Sequence, residues 1–470
     1  MLSDKTASTA IADRSTFVID ATASKAFAVL SGDHNPLHVD PERARRTSFG
    51  GTVCHGVHVA LTALDRILAT GSDGVCALRA RFVRPVATGG LATLGNVVTK
   101  EGGLREVTIA VERETAVTLK FELAPAFPAT TQEVARPADT ASELDFEAAA
   151  NASGREDAAY DTMLATRLFP ALSARAPALL ASALAATRVV GMRCPGLQSL
   201  FVSLDIRADA APPAEFVWRT TRASKTLSML WIELLSPNSV AKIEALMRPP
   251  HCAQAAYDEV CAHVPAGVFL GRNALVLGGA RGLGEVAAKI LAAGGASVGV
   301  GFRIGAADAE RVVSDIRAGG GNAKAMAFDV LDPPTLELSP YDRLYYFAGP
   351  RIAPNKGAWR PDIFAGFARY FVDGIAATLV RLGERKIGVF YPSTKFIDDP
   401  EPGFAEYCAA KAAGETFLAQ AAAAGSLRYA APRLPRMATD QTVAFSHQRI
   451  ESMPPLEILL PEIMRAESML

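Results

Sequence analysis

The chain lacks the usual signs of a metal, disulfide, membrane or polyanion-binding protein. Only six of its 470 residues are cysteine (Cys54, Cys76, Cys194, Cys252, Cys261, Cys408). None stands in a C-x-x-C pair and no Cys/His group has zinc-ligand spacing. That excludes a disulfide scaffold and a zinc module, so no metal is expected and the thiols are expected reduced, in the cytoplasm. Excess charge is also missing. The formal net charge of −1 gives no pull toward nucleic acid or an anionic membrane surface. Residues 1–14 are polar and carry no apolar stretch of the secretory-signal kind. The longest apolar runs are alanine-rich, such as Ala178 to Val190. Ser182, Thr187 and Arg188 interrupt that run, and it falls short of the ~20 apolar residues of a membrane span. A soluble protein is expected.

What is there is ordinary globular material, 50% hydrophobic and 21% charged. At about 100–200 residues per domain, the length predicts two to four domains. Residues 1–125 read as mixed α and β, with a helix from Gly56 to Leu68 and strands at Val75 to Val83 and Val107 to Val111. Residues 126–155 lack periodicity and read as a linker. Residues 156–250 form a second block in the same order. A helix opens at Pro177, and strands follow near Leu200 to Ile206, Phe216 to Thr221, Leu227 to Leu235 and Ala241 to Met247. Residues 251–268 read as a second linker. Residues 269–445 open with a strand (Ala274 to Leu277), a glycine turn and a helix (Leu283 to Ala293), the start of a doubly wound parallel sheet. Residues 446–470, charged and with three prolines, read as a short helical tail.

The first chemical string is Ser31-Gly32-Asp33-His34-Asn35-Pro36-Leu37-His38. Gly32, Asn35 and Pro36 favour a compact turn that brings a carboxylate and an imidazole toward one water. Hydration of an activated double bond needs that pairing, one group taking a proton from water and another supplying one to the α-carbon. Gly50-Gly51 and Val53-Cys54-His55-Gly56 then lead into a helix whose first N–H groups can hold a developing oxyanion. His55 reads as a structural lead-in, and His34 and His58 as surface or core residues.

Together with Phe82-Val83-Arg84-Pro85-Val86 and Gly89, this string resembles the MaoC-like, (R)-specific enoyl-CoA hydratase family over about residues 15–120. The resemblance implies a hot-dog fold, a long helix wrapped by an antiparallel sheet. It implies Asp33 and His38 as the catalytic pair, Asn35 as their support and Gly56 as the residue that polarises the thioester. The middle block carries no acid/base string, and Gly191 to Gly196 reads as a turn. Its order of elements resembles a degenerate second half of a double hot-dog; the alternative is a helical spacer with a small sheet. His251 and Cys252 read as too isolated to form a site.

The second string begins at Gly278-Gly279-Ala280-Arg281-Gly282-Leu283-Gly284 between a strand and a helix. Gly278 suits a tight turn, Gly282 a close approach of pyrophosphate, and Gly284 close packing of helix on strand; the helix N-terminus, at Leu283, faces phosphate. The next strand ends at Phe302-Arg303 without an acid for a ribose hydroxyl. Arg303, helped by Arg281, suits a 2′-phosphate, so NADPH is expected over NADH. Asp329 stands where it can accept from an adenine amine, and Ala348-Gly349 where a strand ends at the ribose. Tyr407 and Lys411, i and i+4, share a helix face. An ammonium there lowers the phenol's pKa and lets it pass a proton to a carbonyl held by Ser393 or Thr394.

The ordered set resembles the short-chain dehydrogenase/reductase family over about residues 270–445, which implies a Rossmann domain. The resemblance implies Tyr407 as acid/base, Lys411 as its partner, Ser393 or Thr394 as the carbonyl-binding hydroxyl and Asp373 at the fourth catalytic position, where asparagine is usual. Leu277 and Phe347 depart from the family pattern. The fold class expected is thus α/β and α+β multidomain. The joint function expected is a bifunctional 3-ketoacyl-thioester reductase and 3-hydroxyacyl-thioester dehydratase, acting on acyl-CoA or acyl-carrier-protein substrates and self-associating by analogy. Asp373 and Phe347 favour a rival with only the hydratase active and the second module a nucleotide-binding scaffold. A non-enzymatic acyl-binding scaffold is the third reading.

Overall fold

The computed structural model describes residues 15–127, 139–209, 211–355, 357–383, 386–425, 427–440, 442 and 453–470. The expectations for residues 1–14, for 128–138 of the first linker and for 446–452 of the tail lie outside them. The chain divides into two compact units, one built on Met1–Pro250 and one on His251–Val443 with the C-terminal residues.

The first unit is organised by two apolar helices. In Gly56–Leu68, valine, alanine and leucine bury one broad face. In Pro177–Arg188 every residue is buried, and Pro177 supplies a first-turn position that has no N–H to satisfy. Five alanines in that helix keep it slim enough for a sheet to close around it.

The strands are β1 (Thr16–Val18), β2 (Gly74–Phe82), β3 (Leu91–Leu94), β4 (Val98–Thr99), β5 (Arg105–Val111), β6 (Glu114–Ala124), β7 (Ser153–Asp157), β8 (Ser199–Ala208), β9 (Glu215–Ser224), β10 (Met229–Ser236) and β11 (Ser239–Met247). They form one antiparallel sheet in the order β1-β3-β5-β6-β2-β8-β11-β10-β9-β7, with β4 on β5. Read outward from its centre, β2-β6-β5-β3-β1 is answered by β8-β11-β10-β9-β7. The middle block therefore repeats the topology of the first, each half a strand, a central helix and a meander. β2 meets β8 antiparallel, Ala77 to Arg81 against Arg207 to Ser203, which makes the sheet continuous across both halves.

Three boundaries read from sequence need correction. The linker expected at 126–155 contains a helix, Phe146–Ala150, and strand β7, which completes the second half. The linker expected at 251–268 carries the helix Tyr257–Cys261, whose Tyr257 and Val260 are buried in the second unit. The expected tail holds the helix Pro455–Glu467; its Leu456, Leu459 and Ile463 belong to that unit's core and Glu467 bonds Arg343 and Tyr345. The helix of the tail was expected but its packing into the core was not, and the elements in the two linkers, five residues each, are too short to show a period.

The second unit is a six-stranded, wholly parallel sheet. Its strands are β12 (Asn273–Leu277), β13 (Ser297–Phe302), β14 (Asn322–Ala327), β15 (Arg343–Tyr346), β16 (Ile387–Phe390) and β18 (Leu427–Ala430). The short pair β17 (Ser393–Thr394) and β19 (Arg433–Leu434) lies apart. The order β14-β13-β12-β15-β16-β18 reads 3-2-1-4-5-6, the doubly wound Rossmann arrangement, with its crevice at the C-terminal ends of the paired strands β12 and β15, where the strand order reverses. Among the described residues one helical stretch, Pro361–Leu382, is long and apolar enough to cross a membrane, which the alanine-rich runs were not. Its Phe367, Phe371, Ile375 and Leu382 are buried in the unit's core.

Replacing Leu459, fully buried in the C-terminal helix, by alanine is expected to cost the second unit about 2–5 kcal/mol in chemical denaturation. A dangling tail would cost nothing.

Candidate active sites

The helix Ala21–Ser31 stops at Gly32, whose left-handed φ of 74° lets its N–H reach Ala28 O at 2.8 Å. The chain then turns sharply and buries Asp33. Its N–H donates to Ser31 Oγ (3.1 Å), its Oδ1 accepts from Asn35 N (3.2 Å), and its Oδ2 accepts from Thr187 Oγ1 (2.8 Å). Asn35 caps the short helix Pro36–Val39 through Leu37 N. Its Nδ2 reaches the carbonyls of Gly191 (3.2 Å), Gly196 (3.1 Å) and Leu197 (3.3 Å) in the second half.

His38 rides on that short helix, with Nδ1 2.7 Å from Val53 O. A carbonyl only accepts, so Nδ1 carries the hydrogen and Nε2 keeps a free lone pair. His55 stacks on His38 with ring centres 3.8 Å apart, and its Nε2 lies 3.0 Å from Asp33 O and 3.7 Å from Asp33 Oδ2. One polar atom from each of Asp33, His38 and His55 lies within 4.8 Å of the others. That spacing also suits a metal ion; His55 Nε2 faces a carbonyl and carries a proton, so the ligand atom from that ring would be the unpartnered Nδ1. His55 is thus part of the cluster rather than a mere lead-in. His58 is a core residue, stacked on Phe27 at 4.4 Å.

Burial shapes the electrostatics. It drives the Asp33 carboxyl above its ordinary range, against the lowering effects of His38, Thr187 and Asn35. It lowers His38 to about 3, assisted by His55, and lowers His55 and His58 to about 3 as well. Burial therefore disfavours charge on both members of the pair. Gly56 opens the central helix, and a Cβ there would meet the Phe82 ring at 2.8 Å, so a larger residue would have to displace that ring. The first-turn N–H groups of this helix have no intrahelical acceptor.

Sequence reasoning missed three contributors. Thr187 was seen only as a break in an apolar run. Gly191 was read as a turn residue, but it lies in a π-helical turn, Val189–Arg193, and a Cβ on it would stand 2.1 Å from Asp33 Oδ1. Buried Arg248, held by Leu197 O at 2.7 Å and lowered to about 10 by burial, acts electrostatically on His38. The one available signal was a lone hydroxyl beside an arginine in an Ala/Leu helix.

In the second unit the expected cofactor residues gather at the C-terminal edge of the parallel sheet. The glycine turn follows β12, Arg303 follows β13, Asp329 follows β14 and Ala348-Gly349 follows β15. Gly278 has a φ of 77° and sits so close to β15 that a Cβ would be 2.7 Å from Phe347 C. A Cβ on Gly284 would stand 2.2 Å from Gly278 O, so the helix Gly282–Ala293, with Leu283 in its first turn, packs tightly on the strand. Gly282 has a φ of 56° and nothing nearer than Thr439 at 3.7 Å from its would-be Cβ, which leaves room in front of the helix terminus. These residues fit a dinucleotide pyrophosphate. Arg303 is exposed, whereas Arg281 lies 3.9 Å from Asp440, which also accepts from His251 at 2.6 Å. His251 is therefore not isolated. Asp329 Oδ1 is occupied by Leu331 N (3.0 Å).

The expected catalytic residues are brought together only in part. Tyr407 is half-buried, its phenol raised by desolvation and engaged by the Thr394 hydroxyl. Ser393 instead hydrogen-bonds Glu415, which Arg433 also holds, so Thr394 is the hydroxyl at the tyrosine. Lys411 Nζ donates to Pro392 O (2.7 Å) and lies 4.1 Å and 4.4 Å from the ring centres of Phe371 and Tyr391. Burial lowers it to about 7, and it is not among the groups that shift Tyr407. Asp373 is exposed and does not face the site. Two residues along a helix turn to roughly the opposite side, and the residue facing in is Phe371, next to Tyr407, Lys411 and Gly349.

The family model described as MaoC like domain matches residues 5–120. The chain is 38% identical over 68 residues to 3-hydroxyacyl-thioester dehydratase X of Mycobacterium tuberculosis, covering 14% of this chain and 24% of that protein. It is 39% identical over 61 residues to the mitochondrial 3-hydroxyacyl-[acyl-carrier-protein] dehydratase of Arabidopsis thaliana, covering 13% of this chain and 36% of that one. The chain thus spans only about a quarter to a third of these relatives' lengths. Among solved structures, a 3-oxoacyl-[acyl-carrier protein] reductase with bound NAD from Brucella melitensis aligns at 23% identity and TM-score 0.33, over 38% of this chain and 76% of that one. A short chain dehydrogenase from Burkholderia cenocepacia in complex with NADP aligns at 24% identity and TM-score 0.33, over 37% and 77%. The chain therefore carries a MaoC-like domain at its N-terminus, over residues 5–120.

Proposed function

We propose that the chain is a fused 3-ketoacyl-thioester reductase and (R)-specific 3-hydroxyacyl-thioester dehydratase, acting in the cytoplasm on acyl-CoA or acyl-carrier-protein substrates. The observation that carries the reading is buried Asp33 close beside half-buried His38, two groups on which desolvation disfavours charge. In the hydration direction, His38 Nε2 takes a proton from water as the water oxygen bonds to the β-carbon. Asp33 then gives its carboxyl proton to the α-carbon, the first-turn N–H groups from Gly56 onward holding the enolate oxygen in between, and the proton taken up by His38 passes to Asp33, so that both groups end as they began. Dehydration runs the same protons back and releases water.

In the second unit, Gly278, Gly282, Leu283, Gly284 and Arg303 would hold a nicotinamide dinucleotide, which supplies hydride when bound. Desolvation keeps Tyr407 a neutral phenol able to donate its proton to the carbonyl oxygen, and Thr394 orients it. The exposed Arg303 supports NADPH over NADH. The two steps are consecutive on one acyl chain, because the 3-hydroxyacyl product of reduction is the substrate of dehydration.

One observation favours a second reading, with the dehydratase alone active. Phe371 and Tyr391 flank Lys411, and its Nζ is committed to Pro392 O. NADPH oxidation with acetoacetyl-CoA separates the readings, since the dehydratase-only reading expects none beside normal crotonyl-CoA hydration.

Asp33→Asn is expected to lower crotonyl-CoA hydration by about 10²–10⁴-fold and spare NADPH oxidation, and Tyr407→Phe to do the reverse. Two such variants with unchanged rates would displace both site assignments. Because His38 stays neutral down to about pH 3, kcat/KM for hydration is expected to be flat between pH 6.5 and 5. A fall centred near 6.5, the ordinary imidazole range, would contradict it. Arg303→Ala is expected to raise the KM for NADPH about tenfold and leave that for NADH within about twofold. Equal effects on both would remove the 2′-phosphate assignment.

A further inference from the structure

We propose that the second hot-dog half is a working part of the dehydratase site, through Thr187 as a positioning residue that holds the Asp33 carboxyl in place. This inference rests on the reading of Asp33 given above. Apart from Ser182 and Arg188 the helix Pro177–Arg188 is apolar, yet Thr187 is buried and its hydroxyl donates to Asp33 Oδ2 at 2.8 Å across 154 residues of sequence. Asn35 N–H fixes the other oxygen, Oδ1, at 3.2 Å, so the carboxyl is held at both ends and cannot rotate freely.

The surroundings fit that role. The helix widens into a π-turn after Arg188, and its Gly191 leaves the space that Asp33 fills; a Cβ there would lie within 2.1–2.5 Å of all three carboxyl heavy atoms. Arg188 anchors the same helix end, donating from Nη1 to Ser31 O (2.9 Å), two residues before Asp33. Asn35 Nδ2 binds three carbonyls of the same region. The half without an acid/base pair therefore supplies a hydroxyl, a vacancy and an anchor to the half that has one. Thr187 touches no reacting atom; it acts through Asp33, and its loss should appear in turnover rather than in binding.

The test uses the full-length chain and crotonyl-CoA hydration, with Asp33→Asn, Thr187→Val, Thr187→Ala and Thr187→Ser compared with the parent. We expect Thr187→Val and Thr187→Ala to lower kcat about ten- to a hundredfold with KM within about twofold, and Thr187→Ser to recover kcat to within about threefold. If the valine variant does not fold, the alanine–serine comparison, with and without the hydroxyl, decides alone. Wild-type kcat in both Thr187→Val and Thr187→Ala, beside an inactive Asp33→Asn, overturns the proposal and leaves the reading of Asp33 standing. A raised KM with unchanged kcat also overturns it, since Thr187 would then shape the acyl groove. Full activity in Asp33→Asn instead removes the dehydratase reading itself.

Discussion

The first unit depends on one constraint, a carboxyl group taken out of water and held by hydrogen bonds from two halves of a pseudo-symmetric fold. An isolated buried carboxyl is costly unless paired or protonated. Asp33 is satisfied by Asn35 N–H from its own turn and by Thr187 Oγ1 from the opposite central helix. The opposite helix can approach because Gly191 has no side chain, and the turn keeps its shape because Asn35 is bound to Gly191, Gly196 and Leu197. Breaking the sheet between β2 and β8 would separate these groups, so fold and site are held by the same interface.

The same desolvation gives the site its chemistry. His38 and His55 stack in a space that disfavours imidazolium, and the carboxyl beside them resists ionisation for the same reason. The second unit uses burial differently. There desolvation lowers Lys411, but the ammonium is turned toward Pro392 O and two aromatic rings instead of toward Tyr407. Phe371 is the residue that distinguishes this arrangement from the one the tyrosine–lysine spacing implied.

Much of this was legible in the sequence, because it was written as local pattern. The helix Gly56–Leu68 was read to the residue from its apolar spacing, and Pro177 marked the start of the second helix. The glycine turn and the parallel strands around it followed from positions that need positive φ or close backbone approach. Asp33, Asn35 and His38 were found because turn-forming residues kept them within six positions. What was not legible depended on contacts distant in sequence. Thr187 reaches Asp33 from the opposite half, and Arg248 acts on His38 from the end of β11. The Asp373 expectation failed on helix phase, since a π-turn at Arg369–Gly374 carries Phe371 inward and leaves Asp373 outside.

The central claim, that Asp33 and His38 form a desolvated pair with a neutral imidazole, is tested most directly by ¹⁵N NMR of the histidine side chains in the intact protein. The account predicts that His38 remains a neutral Nδ1–H tautomer from pH 8 to pH 5, with Nε2 unprotonated. A His38 signal that titrates near pH 6.5, or that shows the hydrogen on Nε2, would contradict it.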